Sequence, residues 1–195
     1  MNIRYFKILE NTRVEGPGMR FCIWVQGCSR GCKGCWAKHS HPHSGGKLIS
    51  VTKLFEMIKA QKNIEGVTFL GGEPFEQAKA LGLLAKKVQG ERLSVVTFTG
   101  ATFEELGSAK NKDVGRLLKY TDLLIDGAFE EENFDISRPW VGSSNQKYHF
   151  LSGRYDERAI NGIKNKAEVR IQRNGSLFIN GMGDFNKINK QLLWS

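Results

Sequence analysis

This sequence predicts an α/β fold built on a parallel sheet, and two observations predict it. Between Arg20 and Phe129, short β-type runs alternate with helix-length amphipathic segments, the pattern of right-handed βαβ units. The turn-forming and polar positions also recur at equivalent places. Cys28, Gly71-Gly72-Glu73, Thr99-Gly100 and Asp126 each lie at or just after the carboxyl end of a successive strand. In parallel α/β sheets those ends share one edge, and ligands bind there. The motifs therefore converge on one site.

Taken in order, "RFCIWVQ" (Arg20 to Gln26) is rich in β-formers and reads as a strand entering a cysteine-rich loop. The loop runs on through "HSHPHSGG", where Pro and paired Gly forbid regular structure. In "SVTKLFEMIKAQKN", Val51, Leu54, Phe55 and Ile58 follow helical spacing, with Ser50 to cap the start and Asn63 to suit the end. "GVTFLGG" (Gly66 to Gly72) is a buried-type strand, followed by a helix from about Glu76 to Val88 and the strand "SVVTFTG". Thr102 and Glu105 form a capping-box pair opening the next helix, and "TDLLIDGAF" gives another strand. The stretch from Glu130 to Phe150 reads as an ordered loop rich in turn formers. Near the C-terminus, "EVRIQRNGSLFIN" alternates on either side of Asn174-Gly175, which predicts a hairpin with a type I′ turn.

The 195 residues suffice for one sizeable core, and 40% hydrophobic with 25% charged content argues against wholesale disorder. No run approaches the ~18 apolar residues of a membrane span. "MNIRYFKILE" lacks the apolar core of a signal peptide, so a cytoplasmic protein without a membrane partner is expected. The formal net charge of +9 could serve a nucleic acid, a nucleotide or an acidic protein partner. A lysine-rich solvated surface is the plainer reading. No dense Lys/Arg block interleaved with aromatics appears, as a single-strand groove would want.

All four cysteines lie between Cys22 and Cys35, which in a reducing compartment points to metal or redox chemistry rather than disulfides. Cys28, Cys32 and Cys35 are spaced C-x3-C-x2-C. Three thiolates can hold three corners of a [4Fe-4S] cluster and leave one iron open, the mark of a catalytic site. Gly27, Gly31 and Gly34 permit the backbone turns that wrapping a cluster needs. Zinc is the competing reading, with His39, His41 or His43 as a fourth ligand. Cys22, inside a strand, is most simply a small buried hydrophobe.

The C-x3-C-x2-C loop followed by "FLGGEP" resembles the radical S-adenosylmethionine (SAM) enzymes. More narrowly, "EGPGMRFCIWVQGCSRGCKGCW", "GGEP", "TDLLIDGAF" and "RPWVGSSNQ" are similar to the activating proteins of glycyl radical enzymes, those of anaerobic ribonucleoside-triphosphate reductase above all. The resemblance spans roughly Arg13 to His149. It implies an incomplete (βα) barrel of the radical SAM type; residues 1–150 are read as its core, and 151–195, beyond what the smallest activating proteins carry, as a C-terminal extension with the β-hairpin, packed on the core. It also implies that Cys28, Cys32 and Cys35 hold a [4Fe-4S] cluster whose open iron is chelated by the amino and carboxylate groups of SAM. Gly71, Gly72 and Glu73 would meet the SAM amino group, and Thr99 and Asp126 would line the same pocket. The chain has Gly34 where the wider superfamily carries an aromatic residue, so Trp36 becomes the neighbour of the adenine. "EGPG" matches a segment that lies near the bound partner's glycyl loop. The implied partner is a glycyl radical enzyme, the large subunit of an anaerobic ribonucleotide reductase, with flavodoxin as electron donor. Two alternatives stand beside this: a radical SAM enzyme acting on a peptide or small molecule, and a zinc-dependent nucleic-acid-binding module.

Overall fold

The computed structural model describes residues 1–171 and 173–183. Its elements are β1 (Asn2–Thr12), β2 (Arg20–Val25), β3 (Lys47–Ser50), α1 (Val51–Lys59), β4 (Gly66–Gly71), α2 (Ala78–Gly90), β5 (Ser94–Phe98), α3 (Phe103–Ser108), α4 (Lys112–Lys119), β6 (Leu123–Asp126), β7 (Lys147–Phe150), β8 (Ala167–Ile171) and β9 (Leu177–Gly181).

Seven strands form one sheet in the order β3-β1-β2-β4-β5-β6-β7. The central neighbours β2, β4, β5 and β6 are parallel, with Ile23, Phe69, Thr97 and Leu124 in register across them. The sheet as a whole is mixed, because β1 runs antiparallel to both β2 and β3, and β7 antiparallel to β6. β1 escapes sequence periodicity for a physical reason: its register against β2 shifts between Tyr5 and Lys7 and again between Leu9 and Thr12, and each shift resets which residues face inward. β7 lies inside the stretch expected to be loop. It is four residues long and exists by pairing with β6.

Local signals place most helix starts. Ser50 Oγ accepts from the Lys53 N–H at 3.1 Å and α1 begins at Val51. Thr102 and Glu105 cap α3 reciprocally. α1 ends at Lys59 rather than near Asn63, which instead adopts φ 66° in the turn leading to β4. α2 begins at Ala78, after Pro74–Gln77 forms a tighter 3-10 turn capped by the Glu73 side chain.

Both faces of the parallel strands are covered, which explains their near-continuous apolar runs. On the helix face, Phe21, Ile23, Val25, Val67, Phe69, Val95 and Leu124 pack with Leu54, Ile58, Leu81, Leu84 and Leu117. On the inner face, Cys22 and Leu70 meet Leu9, Trp24, Phe98 and Phe178, while Val96, Leu123 and Ile125 meet Trp140 and Val141. The fully buried Arg20 is the charged exception on the strands of that face. Its guanidinium donates to Thr68 Oγ1 (3.1 Å), Ser94 Oγ (2.6 Å) and Tyr155 OH (3.0 Å), so no donor group is abandoned in the core.

β8 and β9 pair antiparallel as a separate two-stranded sheet. The connection differs from the expected type I′ turn. Ile171 partners Leu177, and Asn174 is not among the residues with positive φ. Its side chain instead accepts from the Ser176 N–H (3.1 Å) and hydroxyl (2.7 Å), an Asx-type turn that does not need left-handed backbone. The strand pair is tied to the loop before β2. Glu168 accepts from Thr12 Oγ1 (2.9 Å) and the Arg13 N–H (3.0 Å), and Glu15 Oε1 accepts from Asn180 Nδ2 (3.2 Å) and the Gly181 N–H (2.7 Å).

Burial pushes the Glu15 carboxyl up to about 7, against the lowering pull of Asn180 and Gly181 and with a further push from Glu168. From the ordinary 4.5 up to about 7, the unfolded chain has released this proton while the folded chain keeps it. Stability therefore falls as pH rises through that window, by up to about 3 kcal/mol, and levels off above it. Urea unfolding at a series of pH values should show this slope reduced in Glu15→Gln. An unchanged slope would place the responsible proton on another group.

Candidate active site

The cysteine loop begins where β2 ends. Gly27, at φ 104°, turns the chain, and its N–H donates to Ser40 O at 2.8 Å while the Cys28 N–H donates to His41 O at 2.9 Å. Two charged side chains hold the loop from outside. Glu76 accepts from the Ser29 N–H (2.7 Å) and meets His43 Nε2 (2.7 Å), and Arg30 Nη2 donates to Glu105 Oε2 (2.7 Å). Gly31 and Gly34 take φ of 60° and 74°, and the Cys35 N–H closes back on Cys32 O at 3.3 Å. Glycine is needed at these turns because a side chain disfavours that backbone region.

Cys28, Cys32 and Cys35 are free and partly exposed on this loop, whereas Cys22 is free and fully buried on the inner sheet face. Burial raises the Cys35 thiol, and the neighbouring Cys32 and Cys28 raise it further, so the three sulfurs share one electrostatic neighbourhood. Cys28 is raised chiefly by burial, Arg30 and Gly31 N–H groups opposing it. Among the described residues, no three Cys, His, Asp or Glu side chains are drawn together as a ready-made ion cage. The donor set nevertheless fits an iron–sulfur cluster with an open corner in its chemistry: three thiols on one glycine-curled loop. Two of the three candidate histidines have other employment. His39 stacks on Phe6 with ring centroids 6.4 Å apart, and His43 pairs with Glu76.

The Gly-Gly-Glu turn sits directly against this loop. The Gly72 N–H donates to Val25 O (2.9 Å) and the Glu73 N–H to Gly27 O (2.7 Å). A Cβ at Gly72 would lie 2.2 Å from Gly27 O, and one at Gly71, where φ is 102°, would lie 2.7 Å from Trp24 Cα. Both glycines are therefore required by backbone packing of β4 on β2, independently of any ligand. The Glu73 side chain is buried and accepts from the Phe75 N–H (3.0 Å), Thr99 Oγ1 (2.8 Å) and the Gly100 N–H (2.9 Å). Burial raises its carboxyl, and these donors, with Arg30 nearby, oppose the rise. Thr99 is thus brought to the same edge, bound to Glu73.

The remaining expected residues diverge. A Cβ at Gly34 would lie 3.0 Å from Glu131 Oε1, so the outer turn of the loop leans on the segment after β6. Trp36 is 40% exposed and contacts Phe129 and Phe134 at ring-centroid distances of 6.1 and 6.0 Å, on the rim of the edge. Asp126 turns to the helix layer, where its Oδ2 accepts from the Phe103 N–H at 2.6 Å and lies 2.9 Å from His149 Nε2. The histidine contact has the distance but not the geometry of a hydrogen bond. Neighbouring residues on β6 face opposite sides, and Asp126 has the parity of the helix-facing Leu124.

Sequence reasoning missed Arg30, Glu76 and His43 as supports of the loop. Glu105 carried a signal as a capping residue, yet its Oε2 takes both the Thr102 N–H (2.9 Å) and Arg30. The "GSSNQ" segment is also explained: Gln146 Nε2 donates to Gly127 O (3.0 Å) and Asn145 Nδ2 to Ala128 O (2.8 Å), which clamps the turn after β6.

A family model described as a 4Fe-4S single cluster domain matches residues 14–149. The anaerobic ribonucleoside-triphosphate reductase-activating protein of Haemophilus influenzae is 31% identical over 155 residues, covering 75% of this chain and 97% of the relative. The protein of that name from Vibrio cholerae is 32% identical over 144 residues, covering 70% and 90%. Among solved structures, QueE from Escherichia coli aligns with a TM-score of 0.44 at 21% identity, over 52% of this chain and 54% of that one.

The Gly72–Gly27 contact yields a sharp test. Gly72 has no left-handed backbone, so Gly72→Ala is strained only by the clash with the Gly27 carbonyl. Displacing that carbonyl moves Cys28, the next residue. Anaerobically reconstituted Gly72→Ala should hold clearly less iron and sulfide than the parent while keeping its far-ultraviolet circular dichroism. Full cluster content would mean the contact yields without disturbing the loop.

Proposed function

This chain belongs to the family of anaerobic ribonucleoside-triphosphate reductase-activating proteins, and on that premise we propose that its cysteine edge is a radical SAM site that installs a glycyl radical on an anaerobic ribonucleotide reductase. One observation carries the reading: the three-thiol loop is held backbone to backbone against the Gly-Gly-Glu turn, through Gly72 and Glu73 on Val25 and Gly27. Cys28, Cys32 and Cys35 would hold the [4Fe-4S] cluster and leave one iron to the amino and carboxylate groups of SAM. When bound, the cluster supplies one electron that splits SAM into methionine and a 5′-deoxyadenosyl radical, which takes a hydrogen atom from a glycine of the partner.

The chain's own part is positioning. Glu76 and Arg30 fix the backbone between the first two cysteines. Gly71, Gly72, Glu73 and Thr99 form the wall of the SAM pocket nearest the loop, with Gly34 and Trp36 at its rim. Asp126 serves it from behind, by fixing the start of α3. The strand ladder is read as an incomplete (βα) barrel, with residues 1–150 as its core and 151–195 as an extension. Flavodoxin is the proposed electron donor, in the cytoplasm.

The test is anaerobic reconstitution with iron and sulfide, followed by SAM, a reductant and the reductase subunit from the same source. 5′-Deoxyadenosine should form and a glycyl radical doublet should appear in the partner by electron paramagnetic resonance. Ala at Cys28, Cys32 or Cys35 should abolish cluster and cleavage, and Cys22→Ser should keep both. SAM cleavage without a doublet would shift the substrate to a peptide or small molecule. Equal iron loss in Cys22→Ser would overturn the ligand set.

A further inference from the structure

A basic hollow of about 420 Å³ lies beside the loop that precedes β2, lined among others by Arg13, Gly16, Gly18, Trp140, Lys164 and Lys166. Its size is that of a small-ligand site. Among the described residues, no carboxylate lines it and none of its three cations makes an ion pair. Neighbouring arginines behave differently, since Arg170 is paired with Glu168 and Arg138 with Asp135.

The cations are carried on backbone that is separately pinned. The Arg13 N–H donates to Glu168 Oε1 at 3.0 Å. Lys164 and Lys166 flank Asn165, whose Nδ2 donates to Ile136 O and Arg138 O, both at 2.7 Å, and whose Oδ1 accepts from the Trp140 N–H at 2.9 Å. Lys166 O in turn accepts from the Met182 N–H at 3.0 Å. The fold thus brings three exposed cations to the lining of one hollow, a like-charged wall that an anion would complement. Gly16 is buried, and neither its N–H nor that of Gly18 meets an acceptor among the described residues. Both glycines line the hollow, so these N–H groups are uncommitted donors beside it. Of the adjacent carboxylates, Glu15 accepts from Asn180 and Gly181, and Glu65 Oε1 accepts from the Tyr155 hydroxyl.

We propose that this hollow binds an oligophosphate anion, free or as the triphosphate of a nucleotide. Cations and backbone N–H groups around a compact cavity match concentrated phosphate charge. An acidic protein segment would instead need an extended groove or an open strand edge.

Isothermal titration of the reconstituted full chain with inorganic triphosphate, ATP and adenosine tests it. Triphosphate and ATP should bind and adenosine should not, with affinity falling as salt rises. Binding of ATP but not triphosphate would assign the nucleotide as the source. Lys164→Glu/Lys166→Glu should weaken binding roughly tenfold or more, the loss expected from even one charge-assisted hydrogen bond. The same charge change at Lys53→Glu/Lys62→Glu, both exposed and outside the hollow, should leave it unchanged. Iron content equal to the parent certifies that each variant is folded, whatever the chain's activity proves to be. No binding of either phosphate compound, or equal loss in both variants, overturns the proposal and leaves a solvated basic surface.

Discussion

The arrangement of the site depends on one buried carboxylate and the backbone beside it. Glu73 stands at the end of β4, between the ends of β2 and β5. Its N–H reaches Gly27 O on one side, and its carboxylate takes Thr99 Oγ1 and the Gly100 N–H on the other. Three parallel strands are thereby locked together at the edge where the cysteine loop departs. Burial alone would drive this group towards the neutral acid. Three donors and Arg30 oppose that drive, and a buried acceptor without them would be heavily penalised.

The same bracket explains why the neighbouring positions tolerate no side chain. β4 approaches β2 so closely at Gly71 and Gly72 that a Cβ would strike backbone atoms at 2.7 and 2.2 Å. Unlike a side chain, the backbone there cannot rotate aside. Strand packing by itself asks for glycine at both positions, independently of any ligand. The outer part of the loop is secured by ionic contacts nearer to solvent, such as Arg30 with Glu105. These are individually weaker than the buried bracket, so they tune the position of the loop rather than define it.

Across the sheet, the inner face is filled from distant parts of the chain. Phe178 of β9 meets Trp24 edge-on with ring centroids 6.1 Å apart, and Trp140 packs over Val96 and Ile125. Arg20 and the Glu15–Asn180 contact supply the polar connections beneath this apolar layer. The inner face of the central strands is therefore backed by packed structure along its length.

Several features were determined by the sequence alone because their causes are local. Ser50 and the Thr102–Glu105 pair start helices through bonds spanning three residues. The central parallel strands announce themselves by apolar runs, and the three loop cysteines by their spacing. The similarity to activating proteins was legible for the same reason, since it rests on contiguous motifs. Tertiary structure decided what depends on pairing between remote segments. β1 takes its register from two neighbours and breaks it twice, and β7 exists only against β6. Asp126 carries the right residue type at the right strand end, yet strand parity turns it to the helix layer. Glu15 meets Asn180 across 165 positions, and Arg13, Lys164 and Lys166 share one hollow. Such contacts follow from how the sheet twists and where the chain returns to it, and short-range periodicity carries no information about either.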